Sequence, residues 1–136
     1  MLTVNHVLTG AVVGEFIGDP LLAFILALLL HLLLDKVPHF WPNEEAGKTV
    51  VFLVDILACF LVLVFLFTRI AFSKSMFWGA LGGFSVDAVL LPLLPFNIKL
   101  GHWHSDRQIH KTDPIHLFTD GILALICVSV LMLKWV

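Results

Sequence analysis

From Thr49 to Phe67 the chain runs through 19 residues with one charged side chain, Asp55. A helix of that length rises about 28 Å, close to the roughly 30 Å hydrocarbon thickness of a bilayer. Four further apolar segments flank it: Asn5 to Gly18, Leu21 to Lys36, Met76 to Leu94, and a last one running from after Pro114 to the C-terminus. Pro20, Pro38 and Pro114 fall at segment edges, where proline opens a helix or ends one. The first two segments are short and joined by a Gly-Asp-Pro turn, so they read as a hairpin that just spans or dips into the membrane.

Composition agrees. The 136 residues are 60% hydrophobic and 13% charged, about half the charge of an ordinary soluble domain. Mean hydropathy is +1.01, which excludes disorder, a coiled coil and a basic nucleic-acid-binding domain. With a formal charge of -2, no pull toward nucleic acid is expected. A backbone in lipid must satisfy its own hydrogen bonds, and no alternation signals a barrel. The expectation is therefore an all-α, polytopic membrane bundle of about five helices, a single domain over residues 1–136.

The first basic residue is Lys36, so a cleaved leader is not expected. With the N-terminus inside, Lys36, Lys48, Lys99, Arg107 and Lys111 face the interior, against Arg69, Lys74 and Lys134 outside. That asymmetry favours an inner or plasma membrane protein with a cytoplasmic N-terminus. Gly10, Gly14 and Gly18 repeat at small-xxx-small spacing, read as a close helix-packing face. Cys59 and Cys127 stand in apolar runs without metal-binding spacing and read as small buried hydrophobes.

The ionisable residues carry the functional signal. With alternating helix directions, His6, His31, Asp35, Asp55, Asp87, His116 and Asp120 all fall near one membrane face. A charge inside a bilayer costs on the order of 2.5–3.5 kcal/mol at a helix centre, so such a layer needs compensation. The helices supply almost no cations, which leaves histidines, a metal ion or both. His31 to Asp35 and His116 to Asp120 share an H-x-x-x-D spacing that puts each pair on one helical face. Facing one another, they would form a His2Asp2 cage, with His6 and His39 next to it. Asp55 and Asp87 would orient ligands, act as general base or bind a second ion. His and carboxylate donors suit Zn, with Mn or Fe as alternatives, better than Ca or Mg. A third H-x-x-x-D, His102 to Asp106, lies in the loop with His104 and His110. Arg107 and Lys111 in that loop would hold an anionic head group or phosphate.

The opening Asn5-His6 with Thr9-Gly10, then His31, Asp35 and Pro38-His39, then a late His116, resembles the small membrane-bound metal-dependent hydrolases. Some members of that family are known as LexA-regulated inner-membrane proteins. The resemblance covers roughly residues 3–40 and 100–120. It implies that His6, Asp35, His39 and His116 occupy the family's motif positions and that the activity is metal-dependent hydrolysis of a phosphoester or lipid-like substrate. This chain has Asn5 where the family has Thr, Lys36-Val37 within the acidic motif, and no late H-R-x-x-T-H-S string.

The sequence thus leads to a membrane-embedded hydrolase of a lipid-linked ester or phosphoester, with the bilayer as surroundings and a homodimer left open. Asp35, Asp55 and Asp87 are its candidate proton-handling carboxylates. Two other classes compete: a proton or divalent-metal transporter or channel, and a non-catalytic scaffold with a structural metal. The one-sided placement of the polar groups argues against a transmembrane path.

Overall fold

The computed structural model describes residues 2–69, 73–90 and 109–133. Among them are five helices: α1 (Thr3–Ile17), α2 (Pro20–Leu34), α3 (Glu45–Arg69), α4 (Lys74–Leu90) and α5 (Ile115–Leu133). Two short strands, β1 (His39–Phe40) and β2 (His110–Lys111), pair in parallel, His39 opposite His110. The fold is all-helical apart from this pairing, which the apolar pattern does not announce because two-residue strands carry no period.

Local chemistry sets the helix ends. Gly18 closes α1 at φ 72, the left-handed conformation glycine adopts without strain, and its N–H donates to Gly14 O. Asp19 then caps α2, accepting the Leu22 N–H at 2.8 Å, with Pro20 at the first helical position. The hairpin turn thus uses Gly18 for its backbone, not for helix packing as the small-residue spacing implied.

The other two glycines of that stripe do pack. A Cβ on Gly10 would collide with the Gly79 carbonyl, and one on Gly14 with the Ser75 carbonyl, so α1 and α4 touch backbone to backbone. From α4 the reverse holds: a Cβ on Gly83 would strike the His6 carbonyl. α2 packs against both α1 and α4, completing an inner trio. The apolar core joins Val4, Val7, Leu8 and Ala11 of α1 and Met76 and Ala80 of α4 to Cys59 and Leu66 of α3 and Cys127 and Leu131 of α5. Both cysteines are free and buried.

α3 and α5 are long and apolar enough to cross a membrane, yet only 17% of each apolar stretch is buried within the fold. Val50, Leu53, Leu57, Phe60 and Leu61 of α3 lie exposed.

Candidate metal centre

Four side chains from three helices meet at one end of the inner trio. His6 comes from the second turn of α1, His31 from the last turn of α2, Asp35 from the α2 C-cap and Asp87 from near the end of α4. All four are buried, His6, His31 and Asp35 at 1% exposure. The i, i+4 spacing puts His31 and Asp35 on one face, as the sequence implies. The glycine contacts bring α1 and α4 close enough for His6 and Asp87 to join them.

The geometry is specific. The His6 and His31 rings stack with centroids 3.8 Å apart and planes inclined by 21°. Asp35 faces both: Oδ1 lies 3.4 Å from His6 Nε2 and Oδ2 lies 3.5 Å from His31 Nε2. Asp87 Oδ1 stands 3.6 Å from the same His31 nitrogen. His6, His31 and Asp87 each present a ligand atom within 4.8 Å of the others.

His31 Nδ1 lies 2.7 Å from the Gly83 carbonyl. A carbonyl only accepts, so Nδ1 carries the hydrogen and donates it. In the neutral ring, Nε2 then bears a lone pair directed at carboxylate oxygens. Charge-assisted N–H···O bonds run about 2.7–2.9 Å, shorter than any of these three separations. Two donors about 2.0–2.1 Å from a tetrahedral zinc stand roughly 3.3–3.4 Å apart. The 3.6 Å between His31 Nε2 and Asp87 Oδ1 is close to that separation, and His6, His31 and Asp87 form the cluster that could hold an ion, whereas Asp35 meets the two imidazoles through different oxygens. A histidine ligand fixed through its second nitrogen by a backbone carbonyl is the usual arrangement at metal sites. His6 Nδ1 has no hydrogen-bond partner among the described residues.

The other candidate residues lie elsewhere. Asp55 of α3 accepts the Thr3 N–H at 2.8 Å and the Val4 N–H at 3.0 Å. Asp120 of α5 accepts from Asn5 Nδ2 at 2.9 Å. The two H-x-x-x-D pairs therefore do not close into one cage: His31 and Asp35 join His6 and Asp87, while Asp120 is engaged by Asn5. His116, half-buried in the first turn of α5, makes no side-chain hydrogen bond or ion pair among the described residues. The reason is packing. α5 lies against α1 and β1, whereas α2 packs against α1 and α4.

His39 is buried in β1, its ring edge-on to His110 at 4.8 Å, and Trp41 stacks on His110 at 5.5 Å. Burial, with the neighbouring positive groups, pushes the His39 imidazole down to about 3. The Ile109 N–H donates to the Asp35 carbonyl at 3.3 Å, which ties β2 to the end of α2. Lys111 is exposed on β2, and Arg107, His102, His104 and Asp106 lie outside the described residues.

Sequence reasoning missed two participants. One is the Gly83 carbonyl, which has no side chain to betray it. The other is the N-terminal turn of α1, whose free N–H groups hold Asp55 where the composition suggested only histidine or metal. The helix macrodipole, positive at its N-terminus, makes that turn a natural seat for carboxylates.

No protein-family model, curated protein or solved structure matches this chain.

Proposed function

We propose that this protein is a membrane-embedded, metal-dependent hydrolase of the membrane-bound hydrolase type its motifs resemble, with His6, His31 and Asp87 holding one divalent ion and Asp35 beside them. The observation that carries the reading is the His31 tautomer. With Nδ1–H committed to Gly83, Nε2 is the His31 nitrogen turned toward Asp87, at 3.6 Å, within the His6–His31–Asp87 cluster whose ligand atoms lie within 4.8 Å of one another. The mixed nitrogen and oxygen donors favour Zn, with Mn or Fe next.

Support for the membrane comes from the outer surface. A soluble protein's core helix is mostly buried, whereas α3 and α5 leave most of their apolar stretches exposed. Leu21, Ile25, Leu29 and Leu33 of α2 add a second exposed stripe at i, i+4 spacing. Lipid covers such surfaces without cost. We place the metal end toward the cytoplasm, following the loop charges.

A bound divalent ion supplies Lewis acidity and lowers the pKa of water toward about 7. The chain's own residues do the rest. His31 is locked in orientation by Gly83, and Asp35 steers both imidazoles at once. The same Asp35 carboxylate, outside the ion-holding set, would accept the proton of an attacking water. The burial of all four excludes bulk water and strengthens each electrostatic contact. A site at the membrane end of a lipid-facing trio suits a lipid-linked ester or phosphoester. Lys111, exposed on the strand tied to Asp35, and Arg107 would bind its anionic group.

The test is metal content of the detergent-purified protein, with His31→Ala and Asp87→Asn beside it. About one ion per chain, lost in both folded variants, followed by release of phosphate or alcohol from lipid-linked esters, is the expected result. Full metal content in both variants would overturn the site.

A further inference from the structure

We propose that Asp55 and Asp120 are positioning residues that act through the first turn of α1 to hold His6 in the site. This rests on the metal reading above for its functional consequence, but its geometry stands separately. The N-terminus of a helix leaves backbone N–H groups without intrahelical partners, and a side chain near the start usually takes them. α1 has no such local cap: Leu2 occupies that position, and no acid stands in the first turn.

The cap instead comes from another helix. Asp55, some 50 positions away, receives the Thr3 N–H on Oδ2 at 2.8 Å and the Val4 N–H on Oδ1 at 3.0 Å. Asp120 of α5 holds the side chain of the next residue, Asn5, at 2.9 Å. Three consecutive residues are thus gripped by carboxylates from α3 and α5, and the fourth is His6. The His6 carbonyl meanwhile rests against Gly83, whose own carbonyl orients His31. The turn that presents His6 is therefore clamped on the outer side by α3 and α5 and on the inner side by α4.

With both Asp55 oxygens engaged by backbone N–H groups, a ligand role for this acid is disfavoured and a clamp is favoured. Releasing it lets the first turn fray, and His6 rotates away from Asp35. A displacement of about 1 Å at such a site is enough to matter.

The experiment uses the full chain in detergent, labelled with 15N-histidine, as Asp55→Asn, Asn5→Ala, His6→Ala and the double variant Asp55→Asn/His6→Ala. In metal-free protein, Asp55→Asn is expected to shift the His6 ring nitrogens most, with a smaller change at the stacked His31 ring, whose Nδ1 Gly83 holds. Zinc affinity, read by competition with a chelator, is expected to fall about 10–100-fold, the usual effect of removing a partner that orients a ligand. The same substitution in the His6→Ala background is expected to cost almost nothing, because the clamp acts through His6. Asn5→Ala, which leaves the backbone cap intact, gives a smaller change of the same pattern and serves if Asp55→Asn does not fold. Unmoved His6 signals would overturn the proposal whether or not zinc binds. An equal loss of affinity with and without His6 would overturn it too, by making Asp55 an independent ligand. Absence of zinc from the unsubstituted protein would defeat the metal reading alone, and the His6 signals would still decide the clamp.

Discussion

The inner trio and the two outer helices follow opposite packing rules. α1, α2 and α4 meet through glycines, with Gly10 against Gly79, Gly83 against His6 and Gly82 against Phe24, so that backbones touch, although α2 keeps an exposed apolar stripe. α3 and α5 are longer, long and apolar enough to cross a membrane, and most of their surface faces outward. Their inward contributions are narrow: Cys59 and Leu66 from one, Cys127 and Leu131 from the other, and one buried acid each. Chemistry therefore gathers where small residues let helices close up, and the outer helices act on it through the end of α1. In lipid, where apolar helices gain little from hiding from water, close packing and polar contacts are the forces left to organise a bundle.

The comparison breaks most sharply at the site itself. His31→Ala or Asp87→Asn should reduce metal affinity by more than the roughly hundredfold that loss of an orienting partner costs, as read by chelator competition. Both should keep the helical circular dichroism of the parent protein.

Packing comes next. Leu66 is 0% exposed on α3, whereas Leu57 on the same helix is 55% exposed. With lipid or detergent as the reference, Leu66→Ala keeps the cavity part of a core truncation, on the order of 1–3 kcal/mol. Leu57→Ala should stay within about 0.5 kcal/mol. Unfolding titrations in a fixed micelle check both, and equal effects would remove the distinction between inner and outer surfaces. Gly10→Ala probes the other side of the comparison, because its Cβ would strike the Gly79 backbone. Overpacking of this kind costs about 1–3 kcal/mol. The same methyl group at Gly121, which has open space around it on α5, should be tolerated.

The smallest effect is expected at the strands. Burial lowers the His39 imidazole from 6.5 to about 3, so the unfolded segment binds a proton that the paired strands reject. Stability of the β1–β2 contact is therefore full above pH 6.5 and declines as pH falls toward about 3. Amide exchange at His39 and Trp41, whose N–H groups donate to Ile109 and Lys111, reports it. His39→Gln should flatten the dependence.

Much of this was legible from residue type and spacing. The helices follow from apolar runs bounded by Pro20, Pro38 and Pro114, and the pairing of His31 with Asp35 follows from helical pitch. What could not be read was which helices are neighbours. The repeated H-x-x-x-D suggested that α2 and α5 face each other, but the glycines of α1 and α4 decide the packing and bring His6 and Asp87 to His31 instead. The single-sequence pattern shows that Gly10 and Gly14 seek a close partner, without naming Gly79 and Ser75 as that partner. Nor can it show a carbonyl such as that of Gly83, or backbone N–H groups such as those of Thr3 and Val4, because every residue has them. The acid on α3 looked like a ligand for the same reason, its backbone partners being invisible in a string of side chains, and the acid on α5 because nothing in the spacing names Asn5 as its partner.

The most direct test of the account is a zinc or cobalt titration of the metal-free protein, followed at the histidine ring nitrogens. The account predicts one ion per chain, with His6 and His31 signals shifting together at their Nε2 positions and His116 unmoved. Shifts confined to His116 and His39, with His6 and His31 unchanged, would contradict it.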